Sequence, residues 1–172
     1  PLLLVHLFVF LPLTLIGMLP PWSELRVGGT SLGAWVVNRW QGGLMWIFGF
    51  RLARTGQPLP GAVLFVANHV SWVDISILNS QRMMGFVAKR EIAGWPVVGW
   101  LAARGQTIFH QRGSTESLGG VMQAMVVRLQ QGHAVGVFPE GRTRGGLDVG
   151  PFHARIFQAA VETGVPVQPG GL

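Results

Sequence analysis

Residues 2–20 form a near-continuous apolar run, broken only by His6, Pro12 and Thr14. Twenty helical residues rise about 30 Å, the thickness of one bilayer core, so the run predicts a membrane-associated helix. Pro12 has no N–H to donate and predicts a kink within it. A cleaved signal peptide is the competing reading, but no basic stretch precedes the run and no Ala-x-Ala site follows it. Pro20 and Pro21 close the run, and Trp22 behind them suits the headgroup level. A second apolar stretch, 32–50, holds Trp35, Trp40 and Trp46, with Arg39 inside it and Arg51 and Arg54 just beyond. Cations inside and at the end suit a helix lying in the membrane interface. The two stretches can also pair as a re-entrant hairpin. Arg26 follows the first and Arg51 the second, so the distribution of positive charge leaves the orientation open.

From Gln57 the pattern changes. Residues 58–61, Pro-Leu-Pro-Gly, are a linker, and short apolar runs then alternate with helical spacing. Strands are predicted at 62–66, 85–88, 107–110, 134–138 and 165–168. Helices are predicted at 71–80, 95–104, from Ser114 or Thr115 to 131, and 152–163. Pro96 fits a first helical turn, and Gly132 and Gly164 are stop signals. In the third helix Leu118, Val121, Met122, Met125 and Leu129 recur at helical spacing, which marks a core face. The expected fold is therefore α/β: a mostly parallel sheet flanked by helices. An N-terminal membrane-anchoring helical region, 1–56, precedes the α/β domain, 57–172. The chain begins at Pro1 and ends in Gly170-Gly171-Leu172, which suggests a fragment.

Composition narrows the class. Charged residues are 12% of the chain and hydrophobic residues 49%, against about 25% charged in ordinary soluble domains. Such a balance excludes intrinsic disorder. The formal net charge is +6, and Lys89 is the one lysine among thirteen basic residues. A basic, apolar, Trp-rich chain suits an anionic membrane surface or an anionic substrate. No nucleic-acid partner is expected, because no dense Lys/Arg run or binding motif is present. With no cysteine there is no disulfide framework, thiolate metal site or cysteine nucleophile.

Three strand ends carry chemistry. The first is Asn68-His69-Val70-Ser71-Trp72-Val73-Asp74, at a strand-to-helix junction where α/β sheets place their sites. With His69 in the loop and Asp74 in the first helical turn, the two side chains can meet. A carboxylate on one imidazole nitrogen fixes the tautomer and leaves the other free to take a proton. Ser71-x-x-Asp74 equally resembles a capping box, in which Asp74 simply closes the helix. The second strand end is Phe138-Pro139-Glu140-Gly141-Arg142-Thr143-Arg144. Its backbone N–H groups and arginines can bind phosphate, or form a solvated surface turn. The third, Ile108-Phe109-His110-Gln111-Arg112, delivers Arg112. Lys89 and Arg90 end another strand and can join an anion pocket. The remaining histidines form no metal-ligand spacing. In parallel strands all of these ends share one edge. A base, an anion clamp and a membrane anchor together suggest chemistry on a phosphate-bearing lipid.

These residues resemble the glycerolipid acyltransferases, of the 1-acylglycerol-3-phosphate acyltransferase type. Asn68, His69 and Asp74 match the family's Asn-His-x4-Asp motif. Residues 138–141 match Phe-Pro-Glu-Gly, and 165–169 match Val-Pro-hydrophobic-x-Pro. Ile108, Phe109 and Arg112 fit the second motif, in which Gln106 stands where glycine is expected and His110 replaces an aliphatic residue. That departure touches the acceptor pocket as the motif is usually drawn. The resemblance implies a membrane-bound O-acyltransferase that makes phosphatidate from lysophosphatidate, with acyl-CoA or acyl-carrier protein as co-substrate and no cofactor or metal. His69 would be the base and Asp74 its partner. Asn68, Lys89, Arg112, Glu140 and Gly141 would bind the acceptor. The alternatives are another lyso-lipid acceptor, such as lyso-ornithine lipid, or an inactive membrane-binding relative. The implied location is a bacterial-type inner membrane, with the catalytic domain facing the cytoplasm and the domain itself incomplete at its C-terminus.

Overall fold

The structure is a computed structural model that describes residues 1–111, 115–143 and 148–172. Two compact units divide it: residues 1–58 with 75–83, and residues 59–74 with 84–172.

The first unit is mainly helical. α1 (Leu2–Val5) runs through a π turn, His6–Phe10, into α2 (Leu11–Gly17). The widened turn lies just before Pro12, whose ring crowds the carbonyl of the preceding turn. Among the described residues no helix is long and apolar enough to cross a membrane. Helical geometry from 2 to 17 reaches only about 24 Å, and neither Pro20 nor Pro21 can extend the ladder. A short hairpin follows, β1 (Arg26–Val27) with β2 (Thr30–Ser31). It leads into α3 (Leu32–Ile47), where Ser31 Oγ caps the helix by accepting the Ala34 N–H at 3.3 Å. His6 is buried against α3. Its Nε2 lies 3.0 Å from the Trp40 carbonyl, and its ring stacks on Trp40 at 5.3 Å.

α4 (Val73–Gln81) belongs to this unit from residue 75 onward. Asn38 Nδ2 donates to the Asn79 carbonyl at 2.6 Å, and Arg54 Nη1 donates to Gln81 Oε1 at 2.8 Å. A single boundary near residue 56 therefore does not describe the division, because these bonds tie a later helix to the earlier unit.

The second unit is a five-stranded parallel sheet: β3 (Leu64–Ala67), β4 (Gly85–Lys89), β5 (Ile108–His110), β6 (Val135–Val137) and β7 (Val167–Gly170). Their order is β5-β4-β6-β3-β7. All five expected strands are present, with ends shifted by a residue or two. Every residue of β3 is buried, as an unbroken apolar run in a covered parallel strand requires. α6 (Thr115–Gln130) sets Val121, Met125, Val126 and Leu129 against Leu64, Val135 and Val137, and α7 (Gln158–Thr163) adds Ala159 and Ala160. The helical spacing in the sequence thus marks the true core face. α5 (Val98–Arg104) starts three residues later than expected, and the helix expected at 152–163 opens as a 3₁₀ turn, Ala154–Phe157.

Gly136, in the middle of β6, has no room for a side chain. A Cβ there would lie 2.5 Å from Phe86 Cε1 and 2.9 Å from Met84 Sδ. Gly136→Ala is expected to cost about 1–3 kcal/mol by overpacking. Chemical denaturation would measure it; an unchanged midpoint would mean that Phe86 swings aside freely.

Gln106 sits just before β5, at the opposite edge of the sheet from the strand C-termini and so away from the loop that carries His69. Its φ is +64°, a conformation that glycine would adopt without strain. Its side-chain amide lies 3.2 Å from His133 Nδ1, and the contact requires that nitrogen to be unprotonated. Burial, then the Arg128 guanidinium, holds the His133 pKa below its usual value. The unfolded chain therefore takes up this proton first as pH falls. The associated stability is present above about pH 6.5 and is lost as pH falls from there through the lowered folded value. His133→Gln should flatten that part of a melting-temperature-versus-pH curve. An unchanged slope would assign the pH dependence elsewhere.

Candidate active site

Because the strands are parallel, the loops after β3, β4 and β6 emerge at one edge. The loop after β3 carries His69, and α4 begins four residues later with Asp74 in its first turn. Asp74 Oδ2 lies 2.8 Å from His69 Nδ1 and accepts the Val70 N–H at 2.7 Å and the Ser71 N–H at 2.9 Å. Ser71 Oγ in turn accepts the Val73 N–H at 3.2 Å. The helix-closing contact and the His69–Asp74 contact are thus both present. One carboxylate oxygen closes the helix start and holds the imidazole. Asp74 is nearly buried, at 5% side-chain exposure, while His69 retains 17%. With Nδ1 engaged, Nε2 is the imidazole nitrogen left to meet a substrate.

The His69 ring rests on Phe138, with centroids 4.0 Å apart, and Phe138 rests on Phe86 at 5.6 Å. The two aromatic rings thus form a stacked platform beneath the imidazole. Phe138 lies within the Phe-Pro-Glu-Gly motif. The distant Phe86 carries no such signal, and only the β4–β6 pairing brings it here.

Glu140 is buried and bonds to the loop that carries His69. Its Oε2 accepts the His69 N–H at 2.7 Å, and its Oε1 accepts the Gly150 N–H. The structure thus joins Glu140 to the His69 backbone, a contact that the expected pocket-lining role did not include. Gly141 has φ +70°, and its N–H closes a turn onto the Phe138 carbonyl at 3.0 Å. This left-handed position favours glycine and turns the chain back under the loop. A cleft of about 340 Å³ lies beside it, lined by Glu140, Gly141, Arg142, Pro151 and His153. His153 was not singled out by sequence, since its neighbours in the chain form no motif.

The other expected binding residues fall in different places. Asn68 pairs both ways with the Leu172 backbone, donating to its carbonyl at 3.0 Å and accepting its N–H at 2.8 Å. Its amide therefore extends the β3–β7 pairing. Lys89 ends β4 exposed, in register with His110. Arg112 lies outside the described residues, as does Arg144.

The fold resembles that of a solved structure, the 1-acyl-sn-glycerophosphate acyltransferase PlsC from Thermotoga maritima. The TM-score is 0.74 at 21% identity, over 98% of this chain and 68% of that one. A lyso-ornithine lipid O-acyltransferase of Pseudomonas aeruginosa is 35% identical over 88% of this chain and 60% of its own length. A 1-acyl-sn-glycerol-3-phosphate acyltransferase of Neisseria gonorrhoeae is 39% identical over 69% of this chain and 47% of its own. The chain thus spans between about half and three-fifths of these relatives. The model of the Acyltransferase family matches residues 52–172, a stretch that contains the whole His69–Asp74–Glu140 arrangement, and the chain belongs to that family.

Proposed function

We propose that this chain is the catalytic part of a membrane-associated O-acyltransferase acting on a lysolipid. The observation that carries the reading is the His69–Asp74 pair, with Nδ1 held by the carboxylate and the imidazole partly exposed after the C-terminal end of β3. His69 Nε2 takes the proton of the acceptor hydroxyl as its oxygen attacks the thioester carbonyl of the donor. The tetrahedral intermediate collapses by breaking the C–S bond, and the departing thiolate takes the proton back from His69. Asp74 stabilises the transient imidazolium. A base of this kind contributes about 10²–10⁴-fold.

The acceptor is 1-acylglycerol 3-phosphate and the product phosphatidate. Family membership and the relative from Neisseria gonorrhoeae support this choice. Arg112 and Lys89 bind its phosphate, with Gly141 and Arg142 beside the cleft. Acyl-CoA or acyl-carrier protein supplies the acyl group, and no further cofactor takes part. The N-terminal helical unit, with Trp35, Trp46 and Phe48 exposed, holds the enzyme at the cytoplasmic face of the membrane. A second reading, lyso-ornithine lipid as acceptor, is favoured by the relative whose match covers 88% of this chain.

The test supplies membranes carrying the protein with labelled acyl-CoA and either lysolipid. Transfer to lysophosphatidate supports the first reading, and transfer to lyso-ornithine lipid alone replaces the substrate. Transfer to neither by a folded, membrane-bound protein would sink the proposal.

A further inference from the structure

The catalytic edge of the second unit carries an apolar, strained protrusion that the acyl-transfer chemistry does not use. After β4 the chain makes a 3₁₀ turn, Arg90–Gly94, and reaches Val97 before α5 begins. Val97 has φ +61° and ψ −53°, and the Val98 N–H bonds back to the Pro96 carbonyl at 2.6 Å. This is a γ-turn of the rare, strained hand, centred on a β-branched residue for which positive φ is an outlier. A core contact does not explain it, because Val97 is 46% exposed, with Trp95 at 57% and Val98 at 46%. Strain of this sort persists only where the surroundings impose it. They do so here: a Cβ on Gly99 would lie 2.2 Å from the Ala93 carbonyl oxygen, so the start of α5 is packed hard against the preceding turn. The packing thus drives the apolar tip outward.

The tip follows β4, so it emerges at the same sheet edge as the His69 loop. That loop has its own exposed apolar side chains, Val70 and Trp72 at 62%. Charge around the tip is positive. Lys89, Arg90 and Arg104 are exposed, and Glu91 is the only carboxylate between residues 84 and 111.

We infer that the turn at residues 95–98, with Trp72 and Val70, is a lipid-contact surface of the acyltransferase unit itself. It inserts into the headgroup region of an anionic bilayer next to the base. Two tryptophans, aliphatic tips and flanking cations match an interfacial position. An acidic protein partner would use the cations but leave Val97 and Val98 without an apolar environment. The inference rests on the proposed function only for the acceptor being delivered from the bilayer.

The chain has no cysteine, so Val97→Cys accepts a single environment-sensitive fluorophore on the full chain. On vesicles of phosphatidylethanolamine with phosphatidylglycerol, its emission should shift to the blue. The same label at Val161→Cys, on exposed α7, should stay at its aqueous wavelength. An aqueous spectrum at position 97 on protein that co-sediments with the vesicles would overturn the inference. So would a shift produced by acyl-carrier protein and not by vesicles, which would make the surface a protein dock. A Trp95→Ala/Val97→Gly variant removes the tip and relieves the positive φ, so its folding is not at risk from strain. It should raise KM for bilayer-embedded acceptor about tenfold, the size of one lost side-chain burial, and leave KM for a short-chain soluble acceptor unchanged. Equal effects on both acceptors would count against a lipid contact. If the parent chain transfers no acyl group, the functional reading fails while the emission result still decides this one.

Discussion

His69→Ala is expected to lower acyl transfer by about 10²–10⁴-fold while leaving the melting temperature close to that of the parent. The rate loss follows from removing the proposed general base. The thermal result follows from geometry. The imidazole caps no helix and lies on the surface of the Phe138 platform. Asp74→Ala should behave differently. It removes the partner of Nδ1 and also the acceptor for the Val70 and Ser71 N–H groups. Loss of a helix-start acceptor costs about 0.5–2 kcal/mol, so both rate and stability should fall. Initial rates measured beside thermal melts separate the two variants. A His69→Ala protein with full activity would show that the pair is only a cap.

The second large effect is expected at Glu140. Glu140→Ala leaves the N–H groups of His69 and Gly150 without their carboxylate. A buried donor left unsatisfied costs about 1–3 kcal/mol; both N–H groups are only part-buried and can reach water once the carboxylate is gone, so the expected loss for the pair is about 1–3 kcal/mol. Activity should fall as well, because the His69 loop loses its fixed point. Glu140→Gln keeps one acceptor oxygen and turns an NH₂ toward the other N–H, so its loss should be smaller than that of Ala but real. Urea titration of both variants, with acyl transfer assayed well below each midpoint, checks this. If Glu140→Ala is as stable as the parent and only KM for the acceptor rises, Glu140 touches substrate and its hold on the loop is unimportant.

These two sites also show how far the linear order of residues reaches. The spacing of His69 and Asp74 across one loop-to-helix junction allowed their meeting and left open whether Asp74 only closed the helix; the fold supplies the contact. Glu140 stood out through its motif, but its contact is with a backbone N–H seventy-one positions earlier. Side-chain patterns do not announce a bond to a backbone group. The departure at Gln106 looked like a change in the acceptor pocket. Strand direction places it at the other edge, where a hydrogen bond to His133 accompanies the strained backbone.

The alternation of short apolar runs with helical spacing determined the α/β class, the five strands and the buried face of α6. Those patterns are local, since burial periodicity is set by the geometry of each element alone. Composition likewise determined the basic, apolar character that points to lipid. Tertiary structure alone decided the strand order, the attachment of residues 75–83 to the first unit, the Phe86–Phe138–His69 stack and the outward turn at Val97. Each of these depends on which distant backbones lie side by side. That choice is made by packing and hydrogen-bond satisfaction across the whole fold, and no window of neighbouring residues contains it.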